Sequence, residues 1–236
     1  MDKGKVLIDG DIVAYRAAFS TEKLSSKHAI KKAEELIEYI LDQTVLFPSP
    51  DEYKVFLTGA GNFRHEISKS HVYKGNRSDS KKPIYLGIIR DYLVSKHGAI
   101  ISKDEEADDL IAKEAARNNN NVIVASVDKD MLQIPCWHFN FNKKEWKKVS
   151  KWEGLKFFYT QILTGDRADN IVGLWKVGPV KASQLLQDCK TEIDLWKACL
   201  GAYGGNKDRV IENARLLWLR RKDNELWQPP KEEDTL

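Results

Sequence analysis

The sequence predicts an α/β protein with a mainly parallel central sheet flanked by helices. Short apolar runs rich in branched residues alternate with stretches whose apolar residues recur every three or four positions. The first pattern is typical of buried parallel strands and the second of amphipathic helices. Strands that alternate with helices in this way form βαβ units, whose neighbouring strands are parallel.

Four buried strands are predicted, at residues 5–9, 53–57, 99–101 and 122–127. The first ends at Asp9-Gly10-Asp11 and the last is followed by Asp128. Because ligands of open α/β sheets bind outside the carboxyl ends of the strands, we expect Asp9 and Asp128 at one rim. The partial alternation over 137–149 predicts a small antiparallel ribbon at the edge of this sheet.

Helical periodicity divides the chain into a core and a C-terminal helical region. Apolar spacing predicts helices over 30–40, 83–92 and 105–117, and further helices over 153–163, 180–187, 193–200 and 209–221. We therefore predict an α/β core over 1–152, a helical region over 153–227 and a flexible tail over 228–236.

Composition restricts the class of protein and its compartment. The 236 residues are 42% hydrophobic and 31% charged, which is typical of a folded globular chain. The net charge is only +3, so a polyanionic partner would be bound by local clusters of lysine and arginine. Three cysteines without C-x-x-C spacing predict free thiols in a reducing compartment. An apolar run ended by Asp9 is too short for a signal peptide, and no run could span a membrane, so the prediction is cytoplasmic.

Acidic side chains are concentrated at predicted element ends. The groups are Asp9 with Asp11, Glu106 with Asp108 and Asp109, Asp128 with Asp130, and Asp166 with Asp169. Each group alone is typical of a turn or a helix cap. Gathered at one place, however, these like charges would repel unless a cation neutralised them.

The donor type predicts the metal and its chemistry. Carboxylates without accompanying histidine or cysteine favour Mg²⁺ or Mn²⁺ over Zn²⁺. The number of carboxylates exceeds what one ion needs, and a pair of ions suits hydrolysis of a phosphodiester bond.

Several sequence blocks stand out when they are taken in order. They are Ile8-Asp9-Gly10, Phe63-Arg64-His65-Glu66, Tyr73-Lys74-Gly75-Asn76-Arg77, Glu106-Ala107-Asp108-Asp109, Ala125-Ser126-Val127-Asp128-Lys129-Asp130, and Leu163 to Asn170 followed by Val177 to Ala182. Together these blocks resemble the signature motifs of the 5′-nuclease family, which includes flap endonucleases, bacteriophage 5′ to 3′ exonucleases and the 5′-nuclease domain of DNA polymerase I. The resemblance spans roughly residues 5 to 190.

The resemblance implies a PIN-like core with a helical arch over about 66–90 and a C-terminal helix-three-turn-helix region that binds duplex DNA. It implies first-metal ligands Asp9, Glu106 and Asp108, with Asp109 close by, and second-metal ligands Asp128, Asp130, Asp166 and Asp169. Lys74 and Arg77 match the basic pair that steadies the scissile phosphate. Implied DNA contacts also include Arg64, Gly173, Val177, Gly178 and Lys181, and the glycine-rich loop, Gly173 to Gly178, is expected to hold K⁺.

The function implied by the resemblance is that of a structure-selective 5′-nuclease in DNA replication and repair. The resemblance implies two Mg²⁺ ions, which Mn²⁺ replaces, and a monomer acting on DNA with a 5′ end, nick or flap, with RNA/DNA hybrids as a further substrate. The balance of exonuclease and flap endonuclease action is left open.

One position departs from the family pattern. A further metal-binding aspartate usually precedes the Phe-Arg block, and here that place is occupied by Thr58. A threonine offers no carboxylate, so this departure bears on the affinity of the first metal.

Three alternative interpretations are consistent with part of the sequence. A phosphatase of the haloacid dehalogenase type would use Asp9-Gly10-Asp11 and Asp166, but it leaves Glu106 to Asp109 unexplained. A catalytically weakened DNA-binding relative is suggested by Thr58. A PIN-type ribonuclease would lack the helical region after residue 153.

Overall fold

The structure, a computed structural model, describes residues 5–44, 53–77 and 81–231. The chain forms two compact units, each with its own core. Unit 1 consists of Met1–Gly61, Lys81–Val149 and Arg221–Asp223, and unit 2 consists of Asn62–Ser80, Ser150–Arg220 and Asn224–Leu236. Residues 62–77, which include the start of the predicted arch, thus group with the C-terminal helices.

The described residues contain eight strands and nine α-helices. The strands are β1 Lys5–Asp9, β2 Tyr53–Leu57, β3 Ile100–Ile101, β4 Val122–Ala125, β5 Trp137–Asn140, β6 Glu145–Lys148, β7 Gly165–Asp166 and β8 Ile171–Val172. The helices are α1 Gly10–Ser20, α2 Ser26–Thr44, α3 Arg64–Ile67, α4 Leu86–His97, α5 Ala107–Arg117, α6 Lys151–Thr164, α7 Pro179–Leu185, α8 Glu192–Ala202 and α9 Lys207–Leu217.

Unit 1 is built on a six-stranded sheet with the order β3-β2-β1-β4-β5-β6. Five strands are parallel, and only the edge pair β5 and β6 is antiparallel. The predicted α/β class, the mainly parallel sheet and the antiparallel edge ribbon are therefore confirmed. The central position of β1, next to β4, brings the carboxyl ends of these two strands together.

Helices cover both faces of this sheet. Val6 and Ile8 pack with buried residues of α1, α2 and α4, such as Ala14, Ile37 and Ile89. The side chain of Leu7 alternates to the opposite face, where α5 packs across β1 and β2. This two-sided burial explains why the central strands are continuous apolar runs.

Helix α1 begins directly at the end of β1, where the sequence pattern predicted no helix. Asp9 is the N-cap, and its Oδ1 accepts a hydrogen bond from the amide of Ile12 at 3.1 Å. A Cβ atom on Gly10 would lie 2.6 Å from the carbonyl oxygen of Phe56, so only glycine permits this close approach to β2. The helix was missed because the Asp9-Gly10-Asp11 pattern also fits a turn.

Unit 2 is a helical cluster around α6. Phe158 and Tyr159 are buried against Trp227 and the inner faces of α8 and α9. Ser150 begins α6 with a reciprocal capping pair, in which its hydroxyl accepts from the Glu153 amide and Glu153 accepts from the Ser150 amide. The short antiparallel pair β7 and β8 lies directly after α6.

Some predicted boundaries differ from the structure. Strand β4 ends at Ala125 and α9 ends at Leu217, whereas the sequence predicted 127 and 221. Residues 78–80 of the predicted arch and 232–236 of the predicted tail lie outside the described residues. Within the described ranges no helix combines the length and apolar character needed to cross a bilayer.

A buried ion pair joins the returning segment 221–223 to α5 within unit 1. The Nζ atom of Lys113 lies 2.5 Å from Oε1 of Glu105 and 2.7 Å from Oδ1 of Asp223. Lys113 and Glu105 are both buried, whereas Asp223 is exposed. Lys113 is therefore needed mainly to neutralise Glu105.

We expect Lys113→Met to lower the free energy of unfolding by about 3 kcal/mol, because the buried Glu105 would lose the ammonium group that pairs with its charge. The measurement is urea denaturation at pH 7. The double variant Lys113→Met/Glu105→Gln removes both charges and should recover most of that loss. Equal destabilisation of the single and double variants would contradict this explanation.

Candidate metal centre and nucleic-acid interface

Three predicted ligands of unit 1 lie close together at the carboxyl ends of the sheet. Asp9 ends β1, Asp128 follows the adjacent strand β4, and Asp108 lies in the first turn of α5. The charges of Asp9 and Asp128 both act on Asp108. The sheet topology therefore gathers carboxylates that are distant in sequence, as the strand pattern predicts for Asp9 and Asp128.

Ser126 holds Asp9 in place. Its hydroxyl donates to Oδ2 of Asp9 at 2.7 Å and accepts from the backbone amide of Asp128 at 3.0 Å. The other carboxylate oxygen of Asp9 caps α1. Ser126 lies within a motif block, but the sequence carried no signal that would separate its role from that of a core serine.

Burial and mutual repulsion dominate the electrostatics of this rim. Burial raises the pKa of Asp9 to about 7, against the opposing effects of the Ser126 and Ile12 hydrogen bonds, and the charges of Asp11 and Asp128 add to the rise. Burial, followed by the charges of Asp9 and Asp128, raises the pKa of Asp108 well above its ordinary value. The rim therefore favours a bound proton or another cation.

The remaining predicted ligands of unit 1 lie at element starts. Glu106 is the N-cap residue of α5, and its amide donates to Oδ2 of Asp109 at 3.2 Å. Asp109 is fully buried, so its contribution here is to the helix start. The amide of Asp130 donates to Oδ1 of Asp128 at 2.8 Å. Asp128 thereby caps a 3-10 turn, Lys129–Gln133.

The donor chemistry of the rim fits a hard divalent cation, since every candidate is a carboxylate. As the side chains stand, however, no three acidic, histidine or cysteine groups within 5–44, 53–77 and 81–231 converge closely enough to hold an ion. Binding of an ion would therefore require rotation of these side chains. The bound ion would in turn relieve the repulsion among Asp9, Asp108 and Asp128.

Thr58 is part of a hydrogen-bonded network at the end of β2. Its hydroxyl accepts from the amide of Ala107 at 3.0 Å, and so it caps the start of α5. Its own amide donates to Oδ2 of Asp11 at 2.9 Å. The guanidinium of Arg90 pairs with Oδ1 of Asp11 and donates to the carbonyl of Thr58. Asp11 is thus paired with the Arg90 cation, whereas the hydrogen bonds described for Asp9 come from the neutral Ser126 hydroxyl and Ile12 amide.

Unit 2 brings the other predicted acids together with the predicted basic pair. The Arg77 guanidinium donates to Oδ1 of Asp169 at 2.7 Å, and Nζ of Lys74 lies 3.7 Å from the same oxygen. The Tyr73 hydroxyl donates to the second oxygen at 2.9 Å. Asp166, which is buried, accepts at Oδ1 from the amides of Ala168 and Asp169.

Hydrogen bonds to backbone carbonyls fix the segment 72–77 against 166–170. The amide of Lys74 donates to the Asp169 carbonyl at 2.9 Å, and Nε of Arg77 donates to the Ala168 carbonyl at 2.9 Å. In the opposite direction, Nδ2 of Asn170 donates to the Val72 carbonyl at 2.9 Å. Lys74 adopts a left-handed backbone conformation, with φ of 53°. This segment and the acidic turn therefore form one hydrogen-bonded assembly.

Arg64 does not fit its predicted role as a DNA contact. Only 1% of its surface is exposed, and its donors bind the carbonyls of Leu216 at 2.8 Å and Trp218 at 2.9 Å. Its guanidinium also lies over the Phe63 ring. Arg64 therefore satisfies the carbonyl end of α9, a function for which the Phe-Arg block gave no sequence signal.

The glycine-rich loop lines a cleft of about 660 Å³ that includes Gly173, Val177 and Gly178 among its walls. Trp175 stands at this cleft with 86% of its surface exposed, and Nζ of Lys176 lies 5.8 Å from the centre of its ring. Trp175 is the most exposed large hydrophobic side chain in the part of the chain that the structure describes. It was not among the predicted contacts, because it lies between the two motif blocks of this region.

A mainly parallel α/β sheet with carboxylates gathered at the ends of its strands is typical of nucleases that use divalent metal ions. Residues 5–167 match the family model described as "5′-3′ exonuclease, N-terminal resolvase-like domain", so the chain belongs to this 5′-3′ exonuclease family. The predicted resemblance is thereby confirmed.

Individual relatives agree with this membership. The chain is 27% identical to a 5′-3′ exonuclease of Mycoplasma pneumoniae, over 80% of this chain and 73% of that protein. It is 30% identical to DNA polymerase I of Bacillus caldotenax over 81% of this chain but only 24% of that longer protein. Its fold is similar to the structure of the bacteriophage T5 flap endonuclease in complex with DNA and metal ions, with TM-score 0.71, 15% identity and coverage of 91% and 88%.

The raised pKa of Asp9 predicts a distinct pH dependence in chelator. The carboxyl keeps its proton up to about pH 7 in the folded state but loses it near pH 4 when unfolded, so its contribution to stability falls as pH rises between these values. We therefore expect Asp9→Asn to raise the free energy of unfolding at pH 8 by roughly 1–3 kcal/mol, and to change it little at pH 4.

Asp11→Asn is the matched control, because it removes an equivalent charge that is paired with Arg90. It should destabilise the protein at pH 8. Chemical denaturation in EDTA between pH 4 and pH 8 makes the comparison. Destabilisation by Asp9→Asn at pH 8 would show that the proposed repulsion is absent.

Proposed function

We propose that this protein is a structure-selective 5′-nuclease that hydrolyses DNA phosphodiester bonds with two divalent metal ions, Mg²⁺ in its natural setting. The observation that carries the proposal is the pairing of Asp9 and Asp128 at the carboxyl ends of adjacent strands with Asp108 from the first turn of α5, in a chain that belongs to the 5′-3′ exonuclease family. Carboxylates alone would repel a phosphate, so a nuclease can use this concentration of negative charge only when bound cations offset it.

The proposed metal sites use both acidic groups. Asp9, Glu106 and Asp108, with Asp109 in support, would hold the first ion, and the second would be held by Asp128, Asp130, Asp166 and Asp169. The fold is shared with a bacteriophage T5 5′-exonuclease that has divalent zinc ions bound, which supports divalent metal use here. When bound, the ions supply the Lewis acidity that phosphodiester hydrolysis requires. Mn²⁺ would replace Mg²⁺, since both prefer oxygen ligands.

Lys74 and Arg77 would bind the scissile phosphate and stabilise the charge that develops on it. Their support comes from geometry within unit 2, where both cations converge on Asp169 and are fixed through backbone hydrogen bonds. A phosphate oxygen presents to these donors the same kind of acceptor as the carboxylate they now contact.

Duplex DNA would be bound at the glycine-rich loop. Gly173, Val177 and Gly178 line the cleft, and the open space beside Gly178 would allow a backbone phosphate to approach closely. Lys181, in α7 after the loop, would add positive charge. We also propose K⁺ binding at this loop, and action as a monomer on nicked, flapped or 5′-ended DNA, with RNA/DNA hybrids as further substrates.

A phosphatase of the haloacid dehalogenase type is disfavoured. That chemistry needs both Asp9 and Asp11 available, whereas Asp11 is held by Arg90 and the Thr58 amide. A DNA-binding relative without catalysis is an outcome that the following assay can detect.

The proposal is tested by incubating 5′-labelled duplex, nicked and flapped DNA with the protein in Mg²⁺, Mn²⁺ or EDTA. Cleavage near the 5′ end in either metal, and none in EDTA, is expected. Binding of these DNAs without cleavage would identify a binding protein instead.

Removal of the Lys74 charge should lower turnover about 10²- to 10³-fold with little effect on thermal stability, because the contact is made to the reacting phosphate. Lys144→Ala is a matched control for Lys74→Ala, since Lys144 also has a left-handed backbone, with φ of 58° against 53°. Single-turnover cleavage and thermal unfolding of both variants are compared. Near-normal turnover of Lys74→Ala would exclude Lys74 from the mechanism.

Lys181→Ala should weaken duplex binding at every sequence and make the slope of log K against log salt concentration less steep by about one. With one phosphate contact fewer, binding releases about one counterion fewer from the DNA. Fluorescence anisotropy in Ca²⁺ over a range of KCl concentrations gives the slope. Lys197→Ala, an exposed lysine on α8, should leave it unchanged. Equal slopes for Lys181→Ala and the parent protein would remove Lys181 from the interface.

A further inference from the structure

Glu212, in the middle of α9, binds the segment that precedes Lys74. Its Oε1 accepts from the backbone amides of Lys69 at 2.8 Å and Ser70 at 2.7 Å, and its Oε2 accepts from the Ser70 hydroxyl at 2.6 Å. These hydrogen bonds lower the pKa of Glu212, in spite of an opposing effect of burial. Three charge-assisted contacts from a single carboxylate hold this short stretch of backbone.

The same side chain is joined to the glycine-rich loop. Arg209 donates to Oε2 of Glu212 at 3.1 Å and to the carbonyl of Val172 at 2.8 Å. Asn213, which is fully buried, donates to the same carbonyl at 3.0 Å. A continuous chain of polar contacts therefore runs from Ser70 through Glu212 and Arg209 to Val172, immediately before Gly173.

The segment 68–71 needs such an anchor. Arg64 fixes the preceding helix α3 to the end of α9, and residues 72–77 are fixed to the acidic turn by the hydrogen bonds described above. Between these two attachments, Ser68 to His71 are mainly exposed, and they lack regular secondary structure. Glu212 contacts this stretch at Lys69 and Ser70, which lie at least four positions before Lys74, the first residue assigned to the phosphate.

We infer that Glu212 is a positioning residue for the nuclease reaction. It holds the segment that carries Lys74 and Arg77 in register with the glycine-rich loop, through Arg209. The inference rests on the proposed function, because it assigns to Glu212 an effect that acts through Lys74 and Arg77. Small displacements of groups that contact a reacting phosphate are sufficient to reduce turnover substantially.

The test compares Glu212→Ala, the conservative variant Glu212→Gln, and Glu35→Ala as a control. Glu35 forms an i,i+3 pair with Lys32 at 3.3 Å, like the Glu212 and Arg209 pair, but on the exposed face of α2 in unit 1. Amide hydrogen exchange of Lys69 and Ser70 should accelerate about tenfold in Glu212→Ala, less in Glu212→Gln, and not in Glu35→Ala. Unchanged exchange would overturn the proposal, whatever the catalytic result.

Steady-state cleavage of a flapped substrate gives the second measurement. In Glu212→Ala we expect kcat to fall about tenfold with KM changed less than twofold, and partial recovery in Glu212→Gln. A general loss of folding would instead lower the fraction of active protein, which thermal unfolding and active-site titration of each variant would detect. A loss of kcat/KM that comes entirely from a higher KM, with kcat unchanged, would overturn the assignment.

The deciding comparison places Glu212→Ala in the Lys74→Ala/Arg77→Ala background. If Glu212 acts through the basic pair, the tenfold effect on single-turnover cleavage should disappear there. The same tenfold loss in both backgrounds would overturn the proposal. Absence of cleavage by the parent protein in every metal would remove the proposed nuclease function, and amide exchange would still decide whether Glu212 holds the segment.

Discussion

Repulsion among carboxylates at the carboxyl ends of β1 and β4 is the constraint on which the proposed chemistry depends. Parallel pairing of these strands places Asp9 and Asp128 at one rim, and the start of α5 adds Asp108. The protein offsets part of the repulsion with Ser126 and a helix cap, but the pKa of Asp9 still rises to about 7. A cation is the partner that this arrangement favours, since it relieves desolvation and repulsion together.

The acidic group of unit 2 satisfies the same constraint differently. Asp169 receives hydrogen bonds from Tyr73 and Arg77 and lies near Lys74, so its charge is balanced within the chain. The rim of unit 1 carries raised pKa values instead. The two cations proposed to bind phosphate, Lys74 and Arg77, therefore already contact a carboxylate of the proposed metal set. Their position is thus fixed before substrate binds.

Strand patterns predicted the sheet well because burial on both faces leaves an unbroken apolar run. Asp9 and Asp128 followed from the rule that strand ends meet at one rim. Contacts made by side chains with distant backbone were not predictable. Arg64 looked like a nucleic-acid contact because arginine in a motif is usually read as a charge, whereas its binding of the Leu216 carbonyl depends on tertiary packing across more than 150 residues. Glu212 lies outside every sequence motif, so nothing in the sequence indicated its contacts.

The substitution of threonine at position 58 is consistent with an intact acidic rim. The Thr58 hydroxyl caps α5 through the Ala107 amide, a task that an aspartate could also perform, and so the helix that carries Asp108 keeps its place. A carboxylate there would add one more negative charge beside Asp11, whose own charge is paired with Arg90. The network of Asp11, Thr58 and Arg90 thus preserves the geometry of the rim while reducing its charge, so loss of one ligand does not by itself imply loss of catalysis.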